Sequence, residues 1–317
     1  MTGARGFVGR HLVAALQRDG AEVAGLDRPL AGADDPSWLN HHLALGSGTD
    51  QAPAHLADLL ADGGVTTVYH LAGQSSAGAS FGDPAGTVRA NLLGTLELLE
   101  ALRLLQDRGA RVPRLLAVGS AEEYGLAARA DRPCREDDPV LPASPYGTSK
   151  AAATQLCRQY HRSFGLPVVA TRSFNHTGPG HDERFVFPAF AARIAAIEAG
   201  RAEPVLRTGD LSPVRDFLDV RDVVAAYRAL ADRGAAGAVY NVCSGSPLTI
   251  GDGLQILLGL SGAPCTVEPD PALMRPVEIP HLVGDPSALR AATGWQPRFA
   301  FADTLGDLLQ AARKALS

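Results

Sequence analysis

The sequence has little of what announces several function classes. Its four cysteines, Cys134, Cys157, Cys243 and Cys265, have neither metal-ligand spacing nor a paired framework, so reduced thiols and no metal site are expected. Basic excess is missing too. Lys and Arg number 29 against 34 Asp and Glu, a net charge of −5, which leaves no electrostatic footprint for nucleic acid or an anionic membrane. An anionic ligand must then be held by local cations. No apolar run reaches membrane length and no signal-peptide pattern opens the chain, so a cytoplasmic protein is expected. Internal repeats and low-complexity tracts are absent. What is present, 317 residues with 46% hydrophobic and 20% charged, suits one large α/β domain or a domain with a smaller lobe.

The stretch that organises the chain is Pro145-Tyr146-Gly147-Thr148-Ser149-Lys150. A Tyr and a Lys four apart lie on one side of a helix, a turn removed. An ammonium beside a phenol favours the phenolate and draws the Tyr pKa down from about 10. Such a tyrosine can give or take a proton at a carbonyl or carbinol oxygen. By itself the pair is an ordinary feature of helix surfaces, and its chemistry depends on the rest of the chain.

Thr2-Gly3-Ala4-Arg5-Gly6-Phe7-Val8-Gly9 reads T-G-x-x-G-x-x-G and runs into a helical pattern from Arg10 to Arg18. Glycines at a strand-to-helix turn let backbone N–H groups approach a pyrophosphate, and the helix N-terminus adds positive potential. Asp27 closes the next strand, Ala21 to Asp27, at the position where an acid meets the adenosine ribose hydroxyls. A dinucleotide fold needs an apolar strand ahead of the glycine turn, and only Met1 stands there. That strand lies mid-sheet, so the native chain is expected to begin several residues earlier.

Strands are further expected at Thr66 to Gly73, Arg114 to Ser120, Leu166 to Phe174 and Val239 to Cys243. Helices are expected near Ala54 to Leu60, Asn91 to Leu105 and Lys150 to Phe164. The alternation is that of a doubly wound parallel sheet, a Rossmann fold. Ser120 sits at the carboxyl edge, where such sheets bind ligands. His70 is read as a structural histidine and Glu123 as a solvent-facing acid. The rhythm breaks at Asn175 to about Leu211 and from Ser246 onward. The dinucleotide domain is therefore expected over 1–174 plus about 212–245, and a smaller, discontinuous substrate lobe over about 175–211 plus 246–317.

With these residues in place, the chain resembles the extended short-chain dehydrogenase/reductases over almost its full length. The glycine motif, Leu71-Ala72-Gly73-Gln74, Asn91, Ser120 and Tyr146-x-x-x-Lys150 carry the likeness. Within that group it is similar to the GDP-mannose enzymes, the GDP-4-keto-6-deoxy-D-mannose reductases and their sister GDP-mannose 4,6-dehydratases. Supporting stretches run from Arg172 to Gly180, Arg215 to Val220, Tyr240 to Gly245 and Met274 to Pro280. The resemblance implies a homodimer formed through a helix pair, acting on a nucleotide-diphosphate sugar, GDP-linked by likeness alone.

Carried over position by position, it implies that Gly3, Gly6, Phe7 and Val8 embrace the pyrophosphate. Asp27 and Arg28 would stand at the adenosine ribose, and Leu71, Ala72, Gly73, Asn91, Val118 and Phe174 would line the cofactor. Lys150 would bond the nicotinamide ribose beside Tyr146. Gln74, Ser120, Ala121, Asn175 and Val186 would face the sugar nucleotide. Arg215 and Arg275 would pair with its diphosphate, a bidentate task suited to guanidinium, and Glu278 with a ribose hydroxyl. Ser120, Tyr146, Lys150 and Glu122 form the implied catalytic set.

The implied reaction is reduction of the C4 keto group of a GDP-4-keto-6-deoxyhexose to a GDP-6-deoxyhexose of the D-rhamnose type. A 4,6-dehydratase must also remove water and needs an acid and a base beyond the tyrosine. Ala121, which has no proton to offer, speaks against that activity, while Glu122 keeps it open. A C4 epimerase, a talose-forming reductase and a non-catalytic cofactor-binding protein are further alternatives. The last is disfavoured because Ser120, Tyr146 and Lys150 are all present. Either NAD(H) or NADP(H) fits. Asp27 repels a 2′-phosphate and favours NADH, and Arg28 beside it could accommodate one.

Overall fold

The structure is a computed structural model that describes residues 1–28, 36–42, 45–46, 48, 51–274 and 277–316. Among the described residues twelve strands follow in chain order: β1 (Gly25–Asp27), β2 (Leu39–His42), β3 (Thr67–His70), β4 (Arg114–Ser120), β5 (Val168–Ser173), β6 (Asn175–Thr177), β7 (Val205–Thr208), β8 (Val214–Asp219), β9 (Val239–Val242), β10 (Pro247–Thr249), β11 (Thr266–Pro269) and β12 (His281–Leu282). β1 pairs with β2, and β3, β4, β5 and β9 form a second ribbon in that order, all parallel. Thr2 bridges the two ribbons, pairing with Leu26 on one side and His70 on the other. Read across, the order is β2-β1-Thr2-β3-β4-β5-β9, a Rossmann arrangement whose order reverses at Thr2.

The parallel strands are apolar on both faces because helices cover both. Leu115 and Leu116, neighbours on β4, point into opposite cores, as do Val168 and Val169 on β5. One core takes Leu12 from the helix Phe7–Arg18 and Val223, Tyr227 and Leu230 from the helix Val220–Arg233. The other takes Leu56 from Ala52–Asp62 and Leu98 and Leu102 from Gly94–Asp107. The expected strands and helices of this half are all present, shifted only at their ends.

One boundary moves. β8 opens the stretch 212–245 assigned to the dinucleotide domain, yet it pairs with β6, β10 and β12 in a separate mixed sheet. Its Asp216 explains why: the buried carboxylate accepts Ser244 N (2.8 Å), Ser244 Oγ (2.7 Å), Gly245 N (2.9 Å) and Gly284 N (3.3 Å), tying the chain after β9 and after β12 to it. Phe217 packs with Phe187, Leu254 and Leu305 in the core of the smaller lobe. The chain rejoins the central layer with the helix Val220–Arg233 and β9.

Gly3 has φ +67°, and a Cβ on it would lie 2.6 Å from Ala72 N and 2.8 Å from Leu71 C. Both the backbone region and the space reject a side chain. Gly3→Ala is expected to cost about 3 kcal/mol in urea unfolding. Unchanged stability would show that the turn can relax.

Candidate active site

The helix Pro145–Phe164 begins ahead of the expected Lys150. Ser144 caps it, accepting Gly147 N at 3.0 Å, Pro145 takes the first position, and Gly165 ends it in the left-handed conformation. Tyr146 therefore lies in the first turn, near the positive end of the helix, with Lys150 one turn on. Ser80 Oγ accepts Tyr146 N at 3.2 Å, which pins this turn to the loop after β3. No motif pointed to Ser80. The Ser-Pro cap was readable as a helix start.

Ser120 ends β4 and its hydroxyl shares a hydrogen bond with Tyr146, so strand and helix bring the two together. Ser120 also caps the single turn Ala121–Glu123. Glu123 does not face solvent as expected. It is fully buried, with Oε1 accepting Ser120 N (3.1 Å) and Thr154 Oγ1 (2.9 Å) and Oε2 accepting Arg172 Nε (2.9 Å). The S-x-x-E spacing of Ser120 and Glu123 is that of a capping box, a signal that was available.

Lys150 Nζ donates to Val118 O at 2.9 Å. Asn91, in an irregular π turn, accepts Gln74 N (2.8 Å) and donates to Ser149 Oγ (2.9 Å), holding the loop after β3 against the helix. A Cβ on Gly73 would meet Asn91 Oδ1 at 2.4 Å and Lys150 Nζ at 3.7 Å, so Leu71, Ala72, Gly73, Asn91, Val118 and Lys150 converge. Gly6 caps the helix that opens with Phe7 and Val8. The Asp27 carboxylate at the end of β1 accepts Arg5 N (2.9 Å) and Arg28 N (2.8 Å). A side-chain-free cradle, a helix N-terminus and an acid at the next strand's end fit a dinucleotide. His70 is structural, its ring nitrogens bonded to Thr2 Oγ1 (2.8 Å) and Thr95 Oγ1 (3.1 Å).

At the start of the helix Pro145–Phe164 lies a cleft with about 350 Å³ of empty space, open solvent included, lined by Ala77, Gly78, Phe81, Glu122, Ala143, Ser144, Val277, Glu278 and Ile279. Glu122 and Glu278 both line this cleft. Arg215 is buried at the start of β8 and ion-paired with Glu278. Asn175 is exposed on β6 and Val186 opens the helix Val186–Glu198. Gln74 folds onto its own loop, donating to Ser76 O at 2.7 Å. Ala121 and Phe174 are buried with Tyr124 and Cys243 in an apolar cluster whose Ile279 lines the cleft. Arg275 lies outside the described residues.

Burial pushes the Tyr146 phenol up to about 12, against its hydrogen bond with Ser120, so it stands as a proton donor. The expected downward pull of Lys150 does not prevail, because its Nζ is directed at the Val118 carbonyl. Burial lowers Lys150 itself to about 8 from 10.5. Between those values the unfolded chain binds a proton that the folded chain has lost, so stability rises with pH from about 8 to 10.5. Lys150→Met is expected to stabilise the fold at pH 7 by about 3 kcal/mol. The gain should shrink as pH rises toward 10. Urea unfolding at several pH values checks this, and a pH-independent difference would contradict it.

The family model of GDP-mannose 4,6 dehydratase matches residues 1–308. The chain is 38% identical over 312 residues to a GDP-6-deoxy-D-mannose reductase of Pseudomonas aeruginosa, covering 98% of this chain and 95% of that one. The structure of RMD from Pseudomonas aeruginosa complexed with NADPH is similar with a TM-score of 0.82 and 36% identity, over 99% of this chain and 97% of that one. A UDP-glucose 4-epimerase of Thermus thermophilus in complex with NAD gives a TM-score of 0.84 at 29% identity, over 99% and 98%. The chain belongs to the GDP-mannose 4,6-dehydratase family of extended short-chain dehydrogenase/reductases.

Proposed function

We propose that the protein reduces the C4 keto group of a GDP-4-keto-6-deoxyhexose to a GDP-6-deoxyhexose of the D-rhamnose type, using a reduced nicotinamide dinucleotide. The observation that carries this reading is Ser120, at the end of β4, set against Tyr146 with Lys150 one turn along the same helix, and Tyr146 held as a neutral donor. The cofactor, when bound, supplies hydride to C4. Tyr146 then protonates the oxygen on which negative charge develops, and Ser120 donates a hydrogen bond to the same oxygen. Lys150 holds the nicotinamide ribose as an ammonium. Gly3, Gly6, Phe7 and Val8 hold the pyrophosphate, and Asp27 takes the adenosine ribose, for which we infer a preference for NADH. The related RMD structure contains NADPH, so both reductants belong in the test.

The small lobe, 175–211 and 246–317 joined by β8, is taken to close over the sugar nucleotide, with Arg215 and Arg275 at its diphosphate. Guanine as the base follows the name of the 38% identical relative. We place the enzyme in the cytoplasm as a homodimer joined through a helix pair. Among the described residues no helix is long and apolar enough to cross a membrane. One observation favours a second reading. Glu122 lines the cleft and could serve elimination, as in a 4,6-dehydratase. Buried Ala121, with no proton to give, weighs against it.

The test follows nicotinamide absorbance with GDP-4-keto-6-deoxy-D-mannose and NADH or NADPH. Oxidation of the cofactor is expected with the keto sugar and not with GDP-mannose. Keto-sugar formation from GDP-mannose without net cofactor use would establish the dehydratase instead. Tyr146→Phe should lower kcat about 10²- to 10⁴-fold while cofactor affinity holds. In the native enzyme kcat/KM should fall above about pH 8 as Lys150 loses its proton. Light scattering of the eluting protein checks the dimer.

A further inference from the structure

Behind the site lies a buried charge that the reaction as described does not use. We propose that Glu123 is a positioning residue, whose carboxylate fixes the main chain of Ser120 and supplies the negative charge that keeps Lys150 protonated. This rests on the reading of Ser120, Tyr146 and Lys150 as the reacting set.

One carboxylate joins three elements. Oε1 takes Ser120 N at the end of β4 and Thr154 Oγ1 on the helix Pro145–Phe164, and Oε2 takes Arg172 Nε on β5. Thr154 is one turn beyond Lys150, as Lys150 is one turn beyond Tyr146. The carboxylate therefore sets the separation between the strand end that carries Ser120 and the helix that carries Tyr146 and Lys150. Gly119 makes room for it, since a Cβ there would lie 2.5 Å from Glu123 Oε1 and 3.0 Å from Thr154 Oγ1. Arg172 is held from behind, over the Tyr124 ring (4.6 Å) and by Glu136 O (3.0 Å).

Ser120 N and Arg172 Nε can only donate, and the Thr154 hydroxyl donates as well, a set that suits the ionised carboxylate. Burial raises its pKa while Arg172 and the hydrogen bonds from Ser120 and Thr154 oppose the rise. Of the ionisable groups facing Lys150, His70 is kept neutral by burial at about 3, and the Cys157 thiol is pushed up to about 12. Tyr146 also stays neutral, and Glu122 acts on the phenol. That leaves Glu123 as the charge favouring the Lys150 ammonium against its burial. One small cavity is lined both by Gly119 and Thr154, which touch Glu123, and by Val118, whose carbonyl accepts Lys150 Nζ, so the two charges flank the same buried space.

The chain holds two lysines, Lys150 and Lys314, so protein labelled with ¹³C at the lysine ε-carbon gives two resonances, and Lys314→Arg identifies the other. In Glu123→Gln the Lys150 resonance should titrate about one unit lower than in the native protein. The alkaline limb of keto-sugar reduction should move with it, and kcat at pH 7 should fall about tenfold with the sugar-nucleotide KM within about twofold. Glu123→Gln leaves Arg172 buried without its partner and risks unfolding, so Glu123→Gln/Arg172→Gln, which removes both charges, carries the same expectation. A folded variant with the native Lys150 midpoint overturns the proposal, whatever its melting temperature. If the native protein reduces no keto sugar, the functional reading fails while the lysine titration still decides the role of Glu123.

Discussion

A single threonine joins the two ribbons of the central sheet. Thr2 N donates to Tyr69 O at 3.0 Å and Thr2 O accepts Leu71 N at 3.2 Å, while Leu26 N reaches Met1 O at 2.7 Å and Gly3 N reaches Leu26 O at 3.0 Å. Its hydroxyl adds bonds to His70 and Ala72 N. Among the described residues these contacts make the strand order continuous from β2 to β9. They also place the reversal of strand order, and with it the crevice, directly at the glycine turn. Everything proposed for the cofactor depends on that coincidence.

The crevice is expensive in electrostatic terms. Lys150 is buried with a carbonyl for a partner, and Glu123 and Arg172 are withdrawn from water altogether. Neither arrangement is what stability alone would select, because desolvating a charge costs several kcal/mol and a buried pair recovers it only with good geometry. Here the geometry is good, with each Glu123 oxygen satisfied by donors and the guanidinium stacked on Tyr124. A network satisfied on all sides is rigid, and rigidity is what holds a hydroxyl, a phenol and an ammonium at working distance.

The smaller lobe shows a similar division of labour. Its apolar core of Phe187, Phe217, Leu254 and Leu305 would pack in many ways, but Asp216 accepts from two separate loops and leaves one. Arg215, the neighbour of Asp216 on β8, thereby arrives at the cleft beside Glu278.

Much of this was legible without coordinates. Continuous apolar runs with glycine at their ends identified β4 and β5, since parallel strands covered on both faces need no alternation. Tyr146-x-x-x-Lys150 put both groups on one helix face, because helical spacing is a local property of the chain, although the helix starts at Pro145 and not at Lys150 as expected. Other features depend on residues far apart in sequence. Glu123 read as exposed, because nothing local reveals that Arg172, 49 positions on, would close over it. β8 falls in the stretch 212–245 assigned to the dinucleotide domain, yet it pairs with β6, β10 and β12, because strand pairing depends on partners that lie far away in the sequence. Ala121 and Phe174 sit in motif positions, and packing buries both side chains in an apolar cluster that no local pattern announces. The sequence by itself determined the main elements of the dinucleotide half, the fold class and the three groups proposed to react, all matters of short-range pattern. Only the tertiary structure decided which charges are buried together and what ionisation they impose, because desolvation exists only once the chain has closed around them.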